Sequence, residues 1–152
     1  MKKRFDFKLQ PVLRLKELRE QQVKNELGIL QKKIIEQEGL IKRFKKNIEF
    51  YFERYEQAET SRGNLLNGLR THMPEFLTSQ YNKIANCKNE IENLVQLRIE
   101  LLSKLSKAKG ETKLFTNLRE KKRLEHKSKL NKKINAEIEE WSIIKGGKYV
   151  PK

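Results

Sequence analysis

Val23-Lys24-Asn25-Glu26-Leu27-Gly28-Ile29-Leu30-Gln31-Lys32-Lys33-Ile34 decides how the rest of the chain is read. Val23, Leu27, Leu30 and Ile34 are separated by four, three and four residues. On a helix of about 3.6 residues per turn, that alternation keeps them on one narrow stripe. The same step runs on through Gln37, Ile41, Phe44, Ile48, Tyr51, Tyr55, Ala58, Arg62, Leu65 and Leu69, and only Gln37 and Arg62 are polar. A sustained four-three ladder is the heptad signal of a left-handed coiled coil. Upstream, Leu9, Leu13, Leu15 and Leu18 predict a continuing apolar face, with a register break near residues 19–22.

The ladder weakens at Gly63 and Gly68 and stops before Pro74. Proline suits the first turn of a new helix, where its missing N–H costs little. The apolar spacing then restarts at Leu77, Ile84, Cys87, Ile91, Leu94, Leu101, Leu105, Ala108, Phe115 and Leu118. It thins through Leu124, Leu130, Ile134, Ile138 and Trp141, and Gly146-Gly147 is expected to end it. The expected fold is all-α, a long two-helix antiparallel coiled-coil hairpin over residues 1–152: helix 1 about 8–70, turn about 71–75, helix 2 about 76–144, tail 145–152. Helices of roughly 60–70 residues, rising about 1.5 Å each, give a rod about 90–100 Å long with both termini at one end. Gly28, Gly39 and Gly110 each cost about 1 kcal/mol against Ala; bending and simple tolerance are both open explanations.

Composition agrees with a rod. Hydrophobic residues make up 36% of the 152, below the roughly 45–50% of compact domains. That is enough for one seam along long helices and thin for a layered core. Disorder is the other reading of such a composition, and the ladder argues against it. The net charge is +15, which draws a chain to nucleic acid, an anionic membrane face or an acidic protein. Solvation of a coiled coil accounts for part of that charge. Cys87 is the only cysteine, so no intrachain disulfide forms and a reducing, cytoplasmic setting is expected. No run approaches the roughly 20 apolar residues that span a bilayer, and no apolar segment follows the charged N-terminus.

Glu49-Phe50-Tyr51-Phe52-Glu53-Arg54-Tyr55 holds four aromatics in a chain that is 8% aromatic. On a helix, Phe44, Ile48, Tyr51, Phe52 and Tyr55 share one side, and Phe50 lies roughly opposite. Two readings stay open: a wide aromatic core, or a seam whose outer edge docks a partner. Phe76 and Tyr81 are expected in the same half of the hairpin.

Between Arg119 and Lys133 eight basic residues stand against Glu120 and Glu125, and the N-terminal segment adds Lys2, Lys3, Arg4, Lys8, Arg14, Lys16 and Arg19. The hairpin makes these segments neighbours and predicts a basic tip. An enzyme is not expected. Asp6 is the only aspartate, His72 and His126 are expected to be solvated, and no Cys/His spacing fits a metal. Gly146-Gly147-Lys148 lacks the rest of a phosphate loop. No catalytic residue, cofactor, metal or small-molecule substrate is expected.

The opening Phe5-Asp6-Phe7-Lys8-Leu9-Gln10-Pro11-Val12-Leu13-Arg14-Leu15-Lys16-Glu17-Leu18-Arg19-Glu20 resembles the start of the FliJ family of the bacterial flagellar type III export apparatus. The specific part is these first residues; in outline the resemblance covers nearly the whole chain. Gly28 departs from it, standing where such helices often carry Ala. The resemblance implies a stalk-like hairpin, monomeric on its own. Its termini tip would insert into the hexameric export ATPase, promoting assembly and activity. Another part would contact the cytoplasmic domain of the export gate, and export chaperones are further implied partners. On these residues, Arg14, Arg19, Arg119, Lys122 and Arg123 are the expected ATPase-binding tip. Ile48, Phe50, Tyr51, Phe52, Tyr55 and Phe76 are the expected gate-binding patch. The implied location is the inner face of the cell membrane at the flagellar base. The alternatives are a nucleic-acid-binding coiled-coil arm, recognisable by steep salt dependence, and the equivalent stalk of a virulence secretion system.

Overall fold

The computed structural model describes residues 4–61 and 64–148. They form two helices and no strand: α1, Gln10–Ser61, and α2, Asn64–Lys148. The helices pack against each other as an all-α hairpin. Pro11 stands in the first turn of α1, where a proline loses no helical hydrogen bond. The start is fastened by Gln10 N–H donating to the Phe7 carbonyl at 3.0 Å.

The reversal does not lie at residues 71–75. Those residues are helical, and Pro74 is inside α2. The pairing of the two helices gives the reason. Arg70 bonds Tyr55, Phe76 stacks on Tyr51, and Arg98 reaches Gln31. Each step back along α1 is matched by a step forward along α2, so the partners converge on the gap between Ser61 and Asn64. Arg62 and Gly63 fall outside the described residues. Leu65 and Leu69, read as the end of the first ladder, belong to α2, and Leu65 is exposed. Pro74 removes one helical hydrogen bond; the cross-helix contacts at Arg70 and Phe76 hold the helix on both sides of it. At the other end α2 runs through Lys148, past the expected stop at Gly146-Gly147; residues 149–152 fall outside the described residues.

Two compact units lie along the chain, the first Met1–Gln21 with Ser106–Lys152, the second Gln22–Leu105. In the second unit Val23, Leu30, Ile34, Ile48 and Ala58 of α1 are buried, with Ile84, Cys87 and Leu94 of α2. Leu30, Ile34 and Leu94 form its central cluster, with Val95 and Leu101 against it. Full burial of one such side chain is worth about 1.5–3 kcal/mol. Gln80 is buried at a ladder position between Leu77 and Ile84, and its Oε1 has no hydrogen-bond partner among the described residues.

In the first unit Phe7, Leu13 and Ala108 are buried. Leu9, Leu15 and Leu18 are exposed, contrary to the expected apolar face. The four-three ladder instead continues upstream from Val23 through Glu20, Lys16 and Leu13, all half-buried or buried, with no register break. Lys16 can hold such a position because its methylene stem packs while its ammonium reaches Glu111 at 2.9 Å. Thr112 is half-buried on α2, its hydroxyl satisfied by the Ala108 carbonyl at 2.9 Å.

Candidate interaction surfaces

The aromatic stretch sorts by helix face. Ile48 is buried, Tyr51 and Tyr55 are half-buried, Phe52 is 39% exposed and Phe50 61% exposed. Tyr51 and Phe76 stack with centroids 4.5 Å apart and 16° between planes. The Tyr51 hydroxyl donates to the Leu69 carbonyl, and Arg70 Nε donates to the Tyr55 hydroxyl at 3.0 Å. That bond raises the Arg70 pKa further above its usual value. Ile48, Tyr51, Tyr55 and Phe76 are thus spent largely on closing the hairpin. Ile48 drops out of the expected patch because it is core. The exposed aromatics of the unit are Phe50, under the Arg54 guanidinium at 6.0 Å, Phe52 and the 55%-exposed Tyr81. The core reading holds for the seam face, and the outer face is left exposed.

The first unit carries the expected basic residues, and Arg14, Arg19, Arg119, Lys122 and Arg123 are all exposed. They do not form one cluster. Lys16 meets Glu111 while Phe5 meets His126, so Arg14 and Arg19 lie about one to three helical turns along from the level of Arg119. The Glu111 carboxyl in this unit is held below its usual pKa by the Lys16 hydrogen bond first, with the charge of Arg19 as a weaker cause. Arg123 is bidentate to Glu120, at 2.6 and 3.1 Å, and Lys122 is 3.6 Å from Glu125. The Arg123 bond lowers the Glu120 pKa and raises that of Arg123.

Residues 4–9 lie along α2 and form a cleft of about 630 Å³ with Leu118, Lys122, Glu125, His126 and Lys129. Phe5 and His126 rings are 5.7 Å apart and tilted by 47°. His126 is therefore half-buried beside an aromatic, not solvated as expected. This cleft was not legible as a site, because the residues before α1 carry no ladder of their own; the signal was the Phe5-x-Phe7 pair.

Among the described residues no three or more His, Cys, Asp or Glu side chains come together to hold a metal, and no helix is long and apolar enough to cross a membrane. What the fold presents is faces: this is an all-α helical-hairpin protein with a cation-lined cleft in one unit and exposed aromatic side chains in the other. The family model of the flagellar FliJ protein matches residues 5–146, and the chain belongs to that family. It is thereby a component of the flagellar export apparatus. The match opens at Phe5, the first residue of the opening motif. No curated protein sequence and no solved structure gives a significant match.

Proposed function

We propose that this protein is the stalk-like component of the flagellar export apparatus: it inserts into the hexameric export ATPase, promotes its assembly and activity, and couples it to the export gate at the inner face of the cell membrane. The ATPase contact is assigned to the first unit. Supporting it is the cleft where Phe5 and His126 pack together, with Arg4, Lys8, Lys122 and Lys129 around it. Apolar contact inside a ring of cations suits an acidic, partly apolar channel. Arg14, Arg19 and Arg119 extend the positive surface along the same unit. The gate contact is assigned to Phe50, whose exposure on the side of α1 away from the seam serves no folding purpose, with Phe52 and Tyr81 as further exposed aromatics of the same unit. Export chaperones are further partners under this reading, and no step of it requires chemistry by the chain itself.

The test is charge reversal. Lys8→Glu, Lys122→Glu and Lys129→Glu together should return ATPase turnover to the rate of the ATPase alone, with helicity by circular dichroism unchanged. Full stimulation by the triple variant would remove the ATPase contact from this surface.

A further inference from the structure

Beyond Leu130 every side chain of α2 through Lys145 is exposed, so the described residues leave this length of helix largely uncovered. Yet it is apolar along one side. At about 100° per residue, half-buried Leu130, Ile134, Ile138, Trp141 and Ile144 fall within roughly a third of the circumference. Their exposures are 39% for Ile134, 57% for Ile138, 60% for Trp141 and 62% for Ile144. The stripe is also turned about a quarter of the way round the helix from the face carrying Phe115, Leu118 and His126, which packs within the hairpin. It does not prolong the seam; it faces elsewhere.

The charges in this segment are ordered. Between Leu130 and Lys145 stand Lys132, Lys133 and Lys145 against Glu137, Glu139 and Glu140. The segment is neutral in a chain of net charge +15. It lacks the positive potential that keeps two copies of such a chain apart elsewhere. Lys133 and Glu140 edge the same side of the stripe, seven residues apart, about 10 Å along the helix. They are too far apart to pair with each other. Glu137 interrupts the stripe one turn beyond Lys133, which can neutralise it locally.

We infer that this stripe is a self-association surface, on which a second copy of the chain docks antiparallel. A two-fold axis near residue 136 brings Leu130 of one copy beside Trp141 of the other and Ile134 near Ile138. The same axis sets Lys133 against Glu140 twice, as an isologous interface requires. A parallel pair would instead set this edge against the opposite one, which carries Asn131, Asn135 and Ser142 and offers no charge to match. Four or five apolar side chains per copy put the interface at the small end of specific contacts, so the dimer is weak and concentration-dependent. At low concentration the chain is the monomer expected from its sequence. The inference stands independently of the ATPase and gate contacts.

Trp141 is the only tryptophan and reports directly. In the full-length chain its emission should shift to the blue as concentration rises toward about 1 mM, the weak end of specific affinities, in step with dimer seen by sedimentation equilibrium. Lys133→Glu and Glu140→Lys should each abolish the shift with helicity unchanged. Mixing those two variants should restore it, as should both substitutions in one chain, because either arrangement recreates opposite charges across the axis. Concentration-independent emission and sedimentation would overturn the proposal. So would variants that fail to rescue each other, or a blue shift that requires added export ATPase or any other protein.

Discussion

Tyr51 and Phe76 lie face to face across the hairpin, and the hydroxyl of Tyr51 is bonded to the Leu69 carbonyl two turns before Phe76. One side chain therefore ties α1 to two successive stretches of α2. Tyr51→Phe keeps the ring and removes the bond, and should cost about 1 kcal/mol. Tyr51→Ala removes both and should cost about 3 kcal/mol. Urea denaturation followed by circular dichroism measures each. Equal costs for the two would mean that the ring contributes nothing.

Phe50 is the contrasting case, exposed, with the Arg54 guanidinium over its ring. Phe50→Ala should change stability by no more than about 0.5 kcal/mol. If the gate docks here, it should weaken gate binding by about 2 kcal/mol, close to thirtyfold, in calorimetric titration. Binding at wild-type strength would send the gate contact elsewhere.

Gln80 sits buried on the ladder with Oε1 unsatisfied. Gln80→Leu should raise stability by about 1 kcal/mol or more, because an unpaired polar atom is replaced by packing. A buried polar residue of this kind also restricts which registers two helices can adopt. The variant should therefore gain thermal midpoint and lose some uniqueness of pairing, visible as broader backbone NMR lines. A fall in midpoint would show that the amide is well satisfied.

At Gly28, Gly39 and Gly110 an added Cβ meets no atom within 4 Å. Close approach of the helices is thus not what these glycines serve. Alanine at each should stabilise by about 0.5–1 kcal/mol, from helix propensity alone. The three changes should add, since the sites are far apart in sequence.

The Lys16–Glu111 bridge gives stability a pH dependence. Glu111 is held below its usual pKa in the folded chain by its hydrogen bond to Lys16. The folded value is lower than the unfolded one, so the contribution is present above the ordinary carboxylate range and is lost as pH falls through and below it. Wild type should melt above Glu111→Gln near neutrality, and the two should converge in acid. A constant difference across that range would assign the effect to packing.

The seam from Val23 to Ala58, and its return from Ile84 to Ala108, were legible because apolar residues recur at heptad spacing in an otherwise polar chain. The reversal was not. Gly68 and Pro74 look like punctuation, but the position of a hairpin's bend follows from which residues pair, and pairing is not written in either helix alone. Lys16, Glu20 and Thr112 were missed at ladder positions because each looks polar by name. A long stem or a locally bonded hydroxyl lets Lys16 and Thr112 serve there. Leu15 and Leu18 misled for the opposite reason, as leucines that the ladder passes by. Among the candidate contacts, the split of Phe50 from Tyr51 followed from helix geometry. The pairing of Arg123 with Glu120 and of Lys122 with Glu125 is a rotamer-level outcome that spacing only permits.

Pro74 has no N–H to give to the Arg70 carbonyl, so the backbone ladder of α2 is interrupted one turn above the place where Tyr51 and Tyr55 fasten it. Residues 65–73 are thereby expected to open more readily than the rest of α2, with side-chain clasps taking over part of what backbone continuity supplies elsewhere. Amide hydrogens there should exchange with solvent orders of magnitude faster than those from Ile84 to Leu105. A hairpin so interrupted should loosen at this point and close again without unzipping its seam.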